Sequence, residues 1–351
     1  MNRRRDFLAA AAAGTATHAL ACGGPSAARA APAISAPPAT ASAPHGGARA
    51  FVGPLSGKRI ALPDVDRAPM PELAPSGVVH DGVPLGAFGI DGDRGHPDVR
   101  SFRRKFGLVI PATNTSMEHE LWTLLVHNRE QLAGVGIHTV NVVTPRPRLE
   151  TAADLEAYKV QFVGGLATAV DQAKLARPEY MIMGMSLEHV LRGLAPVRDV
   201  MRDVEARSGL AWAAWHDAAP AALAKLGARR IGLLTPFDAT GNDNARRLFE
   251  DLGFEVVSTF GFACAGALDI AHVPDEAKAR AIRERLAKKG HRLDAVVQCG
   301  TNMSMLGVTE RLESELEIPV LGINAVTFWY ALRENGFDAP LRGGGRLLRH
   351  V

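Results

Sequence analysis

The stretch that decides the fold is residues 295–303, which reads AVVQCGTNM. An apolar run typical of a buried parallel strand ends there on a thiol, a glycine and two small polar residues, before a helical pattern begins. A strand that ends in such a turn holds its side chains at the rim of a sheet, where the next helix N-terminus offers unpaired N–H groups to an anion. This placement predicts that Cys299 is an active-site thiol.

A second run of the same form lies at residues 180–187 and reads YMIMGMSL. Gly184 stands there in the place of the thiol, and Met185 beside it cannot ionise near neutral pH. The alternative interpretation of Cys299 is a buried free cysteine that behaves as a small hydrophobic side chain. Its Gly-Thr-Asn flank and the matching loop at Gly184 favour a catalytic thiol.

Strand-like and helix-like patterns alternate along most of the chain. The apolar runs that predict buried strands are residues 106–110, 136–143, 180–185, 210–214, 230–235, 254–258, 294–298 and 318–323. The helical patterns are residues 117–121, 154–177, 187–207, 217–226, 242–252, 276–288 and 326–333. Alternation at this spacing predicts parallel sheets covered by helices on both faces. The predicted fold class is α/β, with two pseudo-symmetric doubly wound domains and a cleft between them.

The two predicted domains span residues 102–228 and 229–325, followed by a C-terminal helix and tail at 326–351. Each domain has a proline after its first strand, Pro111 or Pro236, and a turn of small residues after its third strand. This common order indicates an internal repeat.

The first 30 residues predict a twin-arginine signal peptide. Arg3, Arg4 and Arg5 precede Asp6-Phe7-Leu8 and an alanine run, and residues 28–30 offer a small-x-small cleavage site. The mature protein is therefore expected in the periplasm or outside the cell, with lipid attachment at Cys22 as the less favoured alternative. Residues 31–101, rich in Ala, Pro, Gly and Ser, predict a linker or an arm that packs on the folded part.

Charge and motif content exclude several classes of function. Removal of residues 1–30 leaves 36 basic and 36 acidic side chains, a balance that does not favour nucleic-acid binding. No segment approaches the ~20 apolar residues that a membrane-spanning helix needs. The spacing of His, Cys and acidic residues suggests no metal site, and no strand is followed by a phosphate-binding glycine loop.

Two cysteines, Cys264 and Cys299, remain after signal cleavage. An exported protein could join them in a disulfide, whereas folding in the cytoplasm before export opposes that bond. His189 and His216 lie near predicted strand ends and are candidates for acid or base assistance, although histidines in such places are more often structural.

Four motifs carry a resemblance to a known family: VIPATNTSME at residues 109–118, MGMSL at 183–187, LTPF at 234–237 and CGTNM at 299–303. With them the chain resembles the aspartate/glutamate racemase superfamily, and within it the branch of maleate cis-trans isomerases and arylmalonate decarboxylases. The resemblance spans about residues 104–336.

The resemblance implies an enzyme that uses no metal or organic cofactor and acts with one or two cysteines on opposite faces of a substrate carbon. A thiol opposite a glycine resembles the decarboxylases, in which the cysteine gives a proton to an enediolate. Cys299 is then the single catalytic thiol. The predicted substrate-binding residues are Thr113, Asn114, Gly184, Met185, Ser186, Phe237, Gly300, Thr301 and Asn302. For Ser186 and Thr113, helix N-capping is an equally good interpretation.

Two departures from the family pattern leave the substrate open. Phe237 stands where the family has a tyrosine that contacts a carboxylate, and maleate isomerases normally carry a cysteine where Gly184 stands. The sequence predicts decarboxylation or cis-trans isomerisation of a small carboxylate or dicarboxylate. The alternative is an exported carboxylate-binding protein that has lost catalysis. The oligomeric state stays open, a homo-oligomer included.

Overall fold

The computed structural model describes residues 50–61, 100–143 and 152–350 of the chain. The predicted signal peptide and its cleavage site lie outside these ranges, as does most of the predicted linker. Within that linker, β1 (Ala50–Val52) and β2 (Arg59–Ala61) form a short antiparallel hairpin. The sequence pattern gave no sign of regular structure there.

The first sheet contains four parallel strands in the order β4-β3-β5-β6. They are β3 (Arg104–Pro111), β4 (Val135–Val142), β5 (Tyr180–Met183) and β6 (Trp212–Ala213). β3 is buried along nearly its whole length, which explains why it reads as a continuous apolar run rather than as an alternating pattern. β6 is shorter than the predicted strand at 210–214 because its chain turns into a helix at Trp215.

The second sheet has the same internal order, β8-β7-β9-β10, with all strands parallel. Its strands are β7 (Arg230–Thr235), β8 (Glu255–Gly261), β9 (Ala295–Gln298) and β10 (Val320–Gly322). In both sheets the first strand in the chain pairs with the second and the third, and the fourth strand lies at the edge beyond the third. The predicted repeat is therefore present in the topology.

Ten α-helices connect and cover these strands in the described ranges, together with a short 3₁₀ helix at Asp269–His272. They are α1 (Met117–His127), α2 (Ala152–Leu175), α3 (Leu187–Val190), α4 (Leu194–Ser208), α5 (Trp215–Lys225), α6 (Ala239–Asp251), α7 (Asp275–Ala281), α8 (Leu306–Leu316), α9 (Ile323–Glu334) and α10 (Arg346–His350). A π-helical turn, Ile282–Leu286, follows α7 directly. None of the helices in this part of the chain is long and apolar enough to cross a bilayer.

The helix predicted over residues 187–207 is divided into α3 and α4. Gly193 has a φ of 81°, which ends a right-handed helical path. The carboxylate of Asp251, at the end of α6, accepts a hydrogen bond at 3.0 Å from the backbone N–H of Leu194 in the first turn of α4. Gly193 is the local signal of this break, and Asp251 adds a contact from a residue distant in sequence.

Both sheets share one central core. A single apolar cluster joins Phe106 of the first sheet, Leu233 and Val297 of the second, and Phe328 of α9. Separate clusters cover the outer faces, one beneath α2 and α4 and one beneath α7 and α8. This confirms the predicted class, two pseudo-symmetric parallel α/β sheets with helices on both faces. The boundaries at 102–228 and 229–325 stay predictions.

The hairpin of β1 and β2 is bound to the C-terminal end of α9. The buried carboxylate of Glu334 accepts hydrogen bonds from the backbone N–H groups of Leu55 and Ser56 at 2.7 and 2.9 Å. Lys58 forms an ion pair at 2.6 Å with Glu205 of α4. Residues 50–61 therefore pack on the C-terminal end of α9, about 15 Å along that helix from its first turn, and the linker or arm at residues 31–101 stays a prediction.

Candidate active site

Cys299 and Gly184 occupy equivalent positions in the two sheets. Each is the first residue after the third strand of its sheet, and each donates its backbone N–H to the first strand. Gly184 donates to the carbonyl of Val109 at 2.7 Å, and Cys299 donates to the carbonyl of Leu234 at 2.9 Å. The strand registers agree, because Val109 pairs with Met183 and Leu234 with Gln298. The thiol of one half thus corresponds to a glycine in the other.

Cys299 differs from the sequence-based expectation in one respect. The sequence predicted a sulfur at the edge of an open cleft, but Cys299 is 0% exposed. Trp215, at the start of α5, and Glu188, in α3, both lie close enough to influence its ionisation. Burial, together with the charge of Glu188, raises the pKa of the Cys299 thiol well above its ordinary value, and the Trp215 indole N–H opposes this shift. The thiol is therefore held in its protonated form.

Glu188 is a site residue that the sequence analysis missed. Its side chain is 1% exposed, and burial raises its pKa from 4.5 to about 7. Hydrogen bonds from its own backbone N–H and from the Ser186 hydroxyl oppose that shift. Its Oε1 atom has no hydrogen-bond partner among the described residues. An acidic residue just after a helix start resembles an ordinary exposed first-turn glutamate, so the local pattern concealed its burial.

Thr301, in the loop after β9, links that loop to the loops after β3 and β5. Its Oγ1 accepts a hydrogen bond from Asn114 Nδ2 at 2.9 Å and donates to the carbonyl of Gly184 at 2.9 Å. Its backbone N–H donates to Ser186 Oγ at 3.2 Å. Ser186 occupies the N-cap position of α3 but makes no side-chain cap hydrogen bond, so its hydroxyl serves the contact between the loops.

Asn302 makes a second set of contacts with the loop after β3. Its Oδ1 accepts from the backbone N–H of Thr115 at 2.9 Å, and its Nδ2 donates to the carbonyls of Thr113 and Ala267 at 3.1 and 2.9 Å. Thr113 therefore contacts Asn302 through its backbone carbonyl. The side chain that caps α1 is Asn114, whose Oδ1 accepts from the N–H groups of Ser116 and Met117, each at 3.0 Å.

Residues 299–305, between β9 and α8, form the loop that carries the thiol, called the thiol loop below. Buried polar side chains hold this loop in place. Gln298 Nε2 donates to the carbonyl of Gly300 at 2.8 Å, and Asn324 Nδ2 donates to the carbonyl of Thr301 at 2.9 Å. The buried carboxylate of Glu120 accepts from Asn324 Nδ2 at 2.7 Å. The sequence analysis missed these residues, because isolated polar residues in an amphipathic pattern resemble surface positions.

Gly300 and Phe237 form an apolar wall of the site. Gly300 has a φ of 94°, and a Cβ atom there would come within 2.5 Å of the Pro236 ring, so the position requires glycine. The buried Phe237 ring stacks on the His189 imidazole with centroids 4.4 Å apart. Part of the His189 residue is exposed to solvent, but its imidazole ring is packed against Phe237. Burial of the ring lowers the pKa of His189.

The other predicted residues make their contacts outside the thiol loop. Met185 is buried in the apolar cluster beneath α2 and α4. His216 lies 3.5 Å from Asp217, and burial lowers the pKa of its imidazole. Cys264 and Cys299 are both free thiols, so the disulfide left open by the sequence is absent. In the described ranges, no group of three or more His, Cys, Asp or Glu side chains is arranged to hold a metal ion.

Two matching parallel α/β sheets, with a cysteine at the third strand end of one, agree with the class that the comparisons with known proteins show: the maleate isomerase and arylmalonate decarboxylase branch of the aspartate/glutamate racemase superfamily. The family model "arylmalonate decarboxylase" matches residues 164–348. The chain belongs to the arylmalonate decarboxylase family.

Known relatives come from both sides of this branch. The maleate isomerase of Nocardia farcinica (strain IFM 10152) is 25% identical over 251 residues, which cover 70% of this chain and 96% of that protein. The solved structure of the Nocardia farcinica maleate cis-trans isomerase bound to TRIS has a TM-score of 0.60 at 24% identity and covers 70% of this chain and 98% of that one. An arylmalonate decarboxylase double mutant in its liganded form has a TM-score of 0.58 at 17% identity, with 70% and 99% covered.

A further similar structure contains a covalent intermediate of the protein that was solved. It is a cysteine-to-serine mutant of the Nocardia farcinica isomerase with a covalently bound succinylcysteine intermediate, and it has a TM-score of 0.58 at 24% identity, with 71% and 99% covered. The solved structures confirm the fold, and the family model and the curated maleate isomerase confirm the branch that the sequence motifs indicated.

Proposed function

We propose that the protein is a cofactor-independent decarboxylase of small dicarboxylic acids of the malonate type, with Cys299 as its single proton-donating thiol. The observation that carries the proposal is the unequal pair at the two strand ends. A buried thiol that keeps its proton follows the third strand of one sheet, and Gly184, without any ionisable group, occupies the equivalent position in the other. One proton donor suits a reaction that protonates a carbanion on one face, whereas racemisation requires two.

The reaction that fits this pair begins with loss of carbon dioxide. The bond between the α-carbon and one carboxylate breaks, and its electron pair forms an enediolate with the remaining carboxylate. The S–H bond of Cys299 then breaks as its proton passes to the α-carbon, which leaves a thiolate. Hydrogen-bond donors aimed at the developing negative charge are worth several kcal/mol in such settings. The candidate donors are the Gly300 N–H and the side chains of Thr301 and Asn302, which follow the thiol in the chain, and the side chain of Ser186, which is hydrogen bonded to Thr301.

Substrate entry requires the strand-end loops to separate. Cys299 has no exposed surface, and Asn114, Ser186, Thr301 and Asn302 are hydrogen bonded across the loops. We expect a substrate carboxylate to take over these hydrogen bonds as the loops part, with Phe237 and Gly300 against its apolar group. The same donors then hold the closed protein together and bind the ligand.

Cis-trans isomerisation of a maleate-like substrate is the second candidate, and the similarity to maleate isomerases favours it. That chemistry by covalent addition needs a thiolate, because the thiolate is the nucleophilic form. The raised pKa of Cys299 opposes it. For this reason, and because Gly184 stands where those isomerases normally carry a cysteine, decarboxylation is the preferred proposal.

The test is turnover of phenylmalonate and maleate in deuterated water by the wild type, Cys299→Ala and the control Cys264→Ala. We expect the wild type to release carbon dioxide from phenylmalonate and to place deuterium on the product α-carbon. Cys299→Ala should lower the rate by ~10²–10⁴-fold, the usual contribution of a general acid. Cys264→Ala should retain the rate.

A different outcome would select another function. Isomerisation of maleate without decarboxylation would favour the second candidate. Tight binding of either dicarboxylate without release of carbon dioxide, isomerisation or deuterium exchange would identify an exported carboxylate-binding protein.

We further propose that residues 1–30 direct the folded protein through the twin-arginine route. The support is the pattern Arg-Arg-x-Phe-Leu at residues 4–8. Replacement of Arg4 and Arg5 by lysine should keep the protein in the cytoplasmic fraction, and Cys22→Ala should not alter its release if the leader is cleaved rather than lipidated. Cell fractionation with immunodetection of the chain tests both expectations.

A further inference from the structure

Glu188 is a buried carboxyl group whose hydrogen bonding is incomplete. It is 1% exposed, and its Oε1 atom has no partner in the part of the chain that the structure describes. Burial of a polar atom without a partner costs free energy, so such groups are rare in native structures and call for an explanation.

The hydrogen bonds around Glu188 lead to the thiol loop. The Ser186 hydroxyl is hydrogen bonded to the Glu188 carboxyl and accepts from the backbone N–H of Thr301, two residues after Cys299. The negative charge of Glu188 contributes to the raised pKa of the Cys299 thiol. The indole of Trp215 lowers that pKa, and its Nε1 atom has no well-formed hydrogen bond among the described residues. Thiol, carboxyl and indole N–H therefore share one buried space.

We propose, resting on the proposed function above, that Glu188 is the proton-transfer partner of Cys299 and restores the proton to its sulfur in each catalytic cycle. The first half thus supplies a carboxyl group, four residues beyond Gly184, in place of a second thiol. Glu188 acts through Cys299 and need not touch the substrate.

The proton balance of the cycle is complete with this residue. After Cys299 has given its proton to the α-carbon, the site holds a thiolate and the neutral carboxyl of Glu188. The O–H bond of Glu188 breaks and an S–H bond forms, which returns Cys299 to its thiol and leaves a carboxylate. When the loops open for product release, the Glu188 carboxylate takes a proton from water. One proton from solvent is consumed for each carbon dioxide released.

The surroundings of Glu188 suit this exchange. Its pKa of about 7 allows it both to hold and to release a proton near neutral pH, and burial is the largest cause of that value. The titratable groups around it are Cys299 on the opposite loop, the neighbouring His189, and Asp238, which acts on His189 from the start of α6. While the loops are closed, a thiolate without exposed surface has no direct proton source in water, and a neighbouring acid supplies one.

The experiment compares the pH dependence of the wild type, Glu188→Gln and Glu188→Asp with phenylmalonate as substrate. In the wild type we expect kcat to fall as the pH rises through about 7, since the neutral carboxyl is the active form. Glu188→Gln should lower kcat by ~10²-fold, which is within the usual range for general acid–base residues. In this variant the fall of kcat above pH 7, the alkaline limb of the profile, should be absent. Glu188→Asp should restore the limb and part of kcat. A purely structural role would change kcat without moving the limb.

A second measurement does not depend on turnover. In a Cys22→Ala and Cys264→Ala background, Cys299 is the single cysteine, and its ¹³Cβ chemical shift can be followed by NMR. We expect a step near pH 7 from the titration of Glu188 beside the thiol, and its loss in Glu188→Gln. Persistence of the step in Glu188→Gln, or no step in the wild type, would overturn the proposal.

The two measurements separate failure of this proposal from failure of the proposed function. If Cys299→Ala abolishes turnover while Glu188→Gln keeps both kcat and the limb, Glu188 is not the proton partner and the decarboxylase stands. If the NMR step is present but neither phenylmalonate nor maleate is turned over, the proposed function fails and takes the turnover role of Glu188 with it. If kcat with maleate instead rises as the pH increases through 7, Glu188 removes the proton from Cys299 and the reaction is isomerisation.

Discussion

The loop after β5 and the loop after β9 begin with the same backbone hydrogen bond in two sheets of the same strand order, yet they carry different chemistry. The β9 loop starts with the thiol of Cys299, and the β5 loop starts with Gly184 and presents its ionisable group, Glu188, only four residues later. A repeated scaffold therefore fixed the backbone positions around the site, while the side chains of the two halves diverged. The β5 loop contributes a hydroxyl and is followed by the carboxyl group of Glu188, and the β9 loop contributes the thiol, the Thr301 hydroxyl and the Asn302 amide.

The largest expected effect on stability concerns the charge of Glu188. Its pKa is raised from 4.5 to about 7 in the folded protein. The stability from the neutral carboxyl is thus fully present below pH 4.5 and is lost as the pH rises through about 7. At 1.36 kcal/mol for each pKa unit, the loss reaches about 3 kcal/mol. Glu188→Gln should abolish this loss and be more stable than the wild type at pH 8, as measured by urea unfolding at pH 5 and pH 8.

The control for this prediction is Glu284→Gln, a change at an exposed glutamate, which should follow the wild type at both pH values. The prediction is contradicted if the difference in unfolding free energy between wild type and Glu188→Gln is the same at pH 5 and pH 8.

A smaller effect is expected from a methyl group at the glycine of the pair. A Cβ atom at Gly184 would come within 2.4 Å of Ile110 Cγ2 and 2.8 Å of the Val109 carbonyl oxygen. Gly184→Ala should therefore destabilise the protein by about 2 kcal/mol through overpacking, as measured by chemical unfolding. Gly164→Ala, on an exposed face of α2 with open space around the position, should instead stabilise by up to about 1 kcal/mol.

Equal effects of the two substitutions would show that the site relaxes around Gly184. The same geometry bears on a cysteine at position 184. Its Cβ would point towards Ile110 and Met117 in the core, so a second thiol cannot be introduced there without displacing these side chains.

The smallest effect concerns the hydrogen bonds that join the two loops. Thr301→Val leaves the Asn114 amide and the Gly184 carbonyl without their shared partner, and should cost about 1–2 kcal/mol. The control is Thr309→Val, another buried threonine, whose hydroxyl donates to the carbonyl of Met305 within α8. That carbonyl also accepts from the Thr309 backbone N–H, so the control should cost only about 0.5 kcal/mol.

Thermal and urea unfolding of both variants measure the difference. Should Thr301→Val prove no more costly than Thr309→Val, the contact between the loops would contribute nothing to the closed state, and the equivalence of the loops would be limited to their backbones.

The sequence predicted the order of the strands because a strand buried on both faces must be apolar throughout, which residues 106–110 and 295–298 show directly. It also predicted which residues follow the strands, so that Thr113, Asn114, Ser186, Thr301 and Asn302 were all placed near the meeting point of the loops. It could not predict that these groups bond to one another, since each contact joins residues more than 100 positions apart.

By itself, then, the sequence determined the α/β class, the repeat and the single thiol opposite a glycine, because periodicity and residue identity are local properties. Only the tertiary structure decided that Cys299 is enclosed, that Glu188 shares its buried space and that Gly184 has no room for a side chain. The physical reason is that burial and the pKa of a group depend on atoms that the chain brings together from distant positions. A glutamate in the first turn of a helix has the same sequence signature whether it faces water or a thiol.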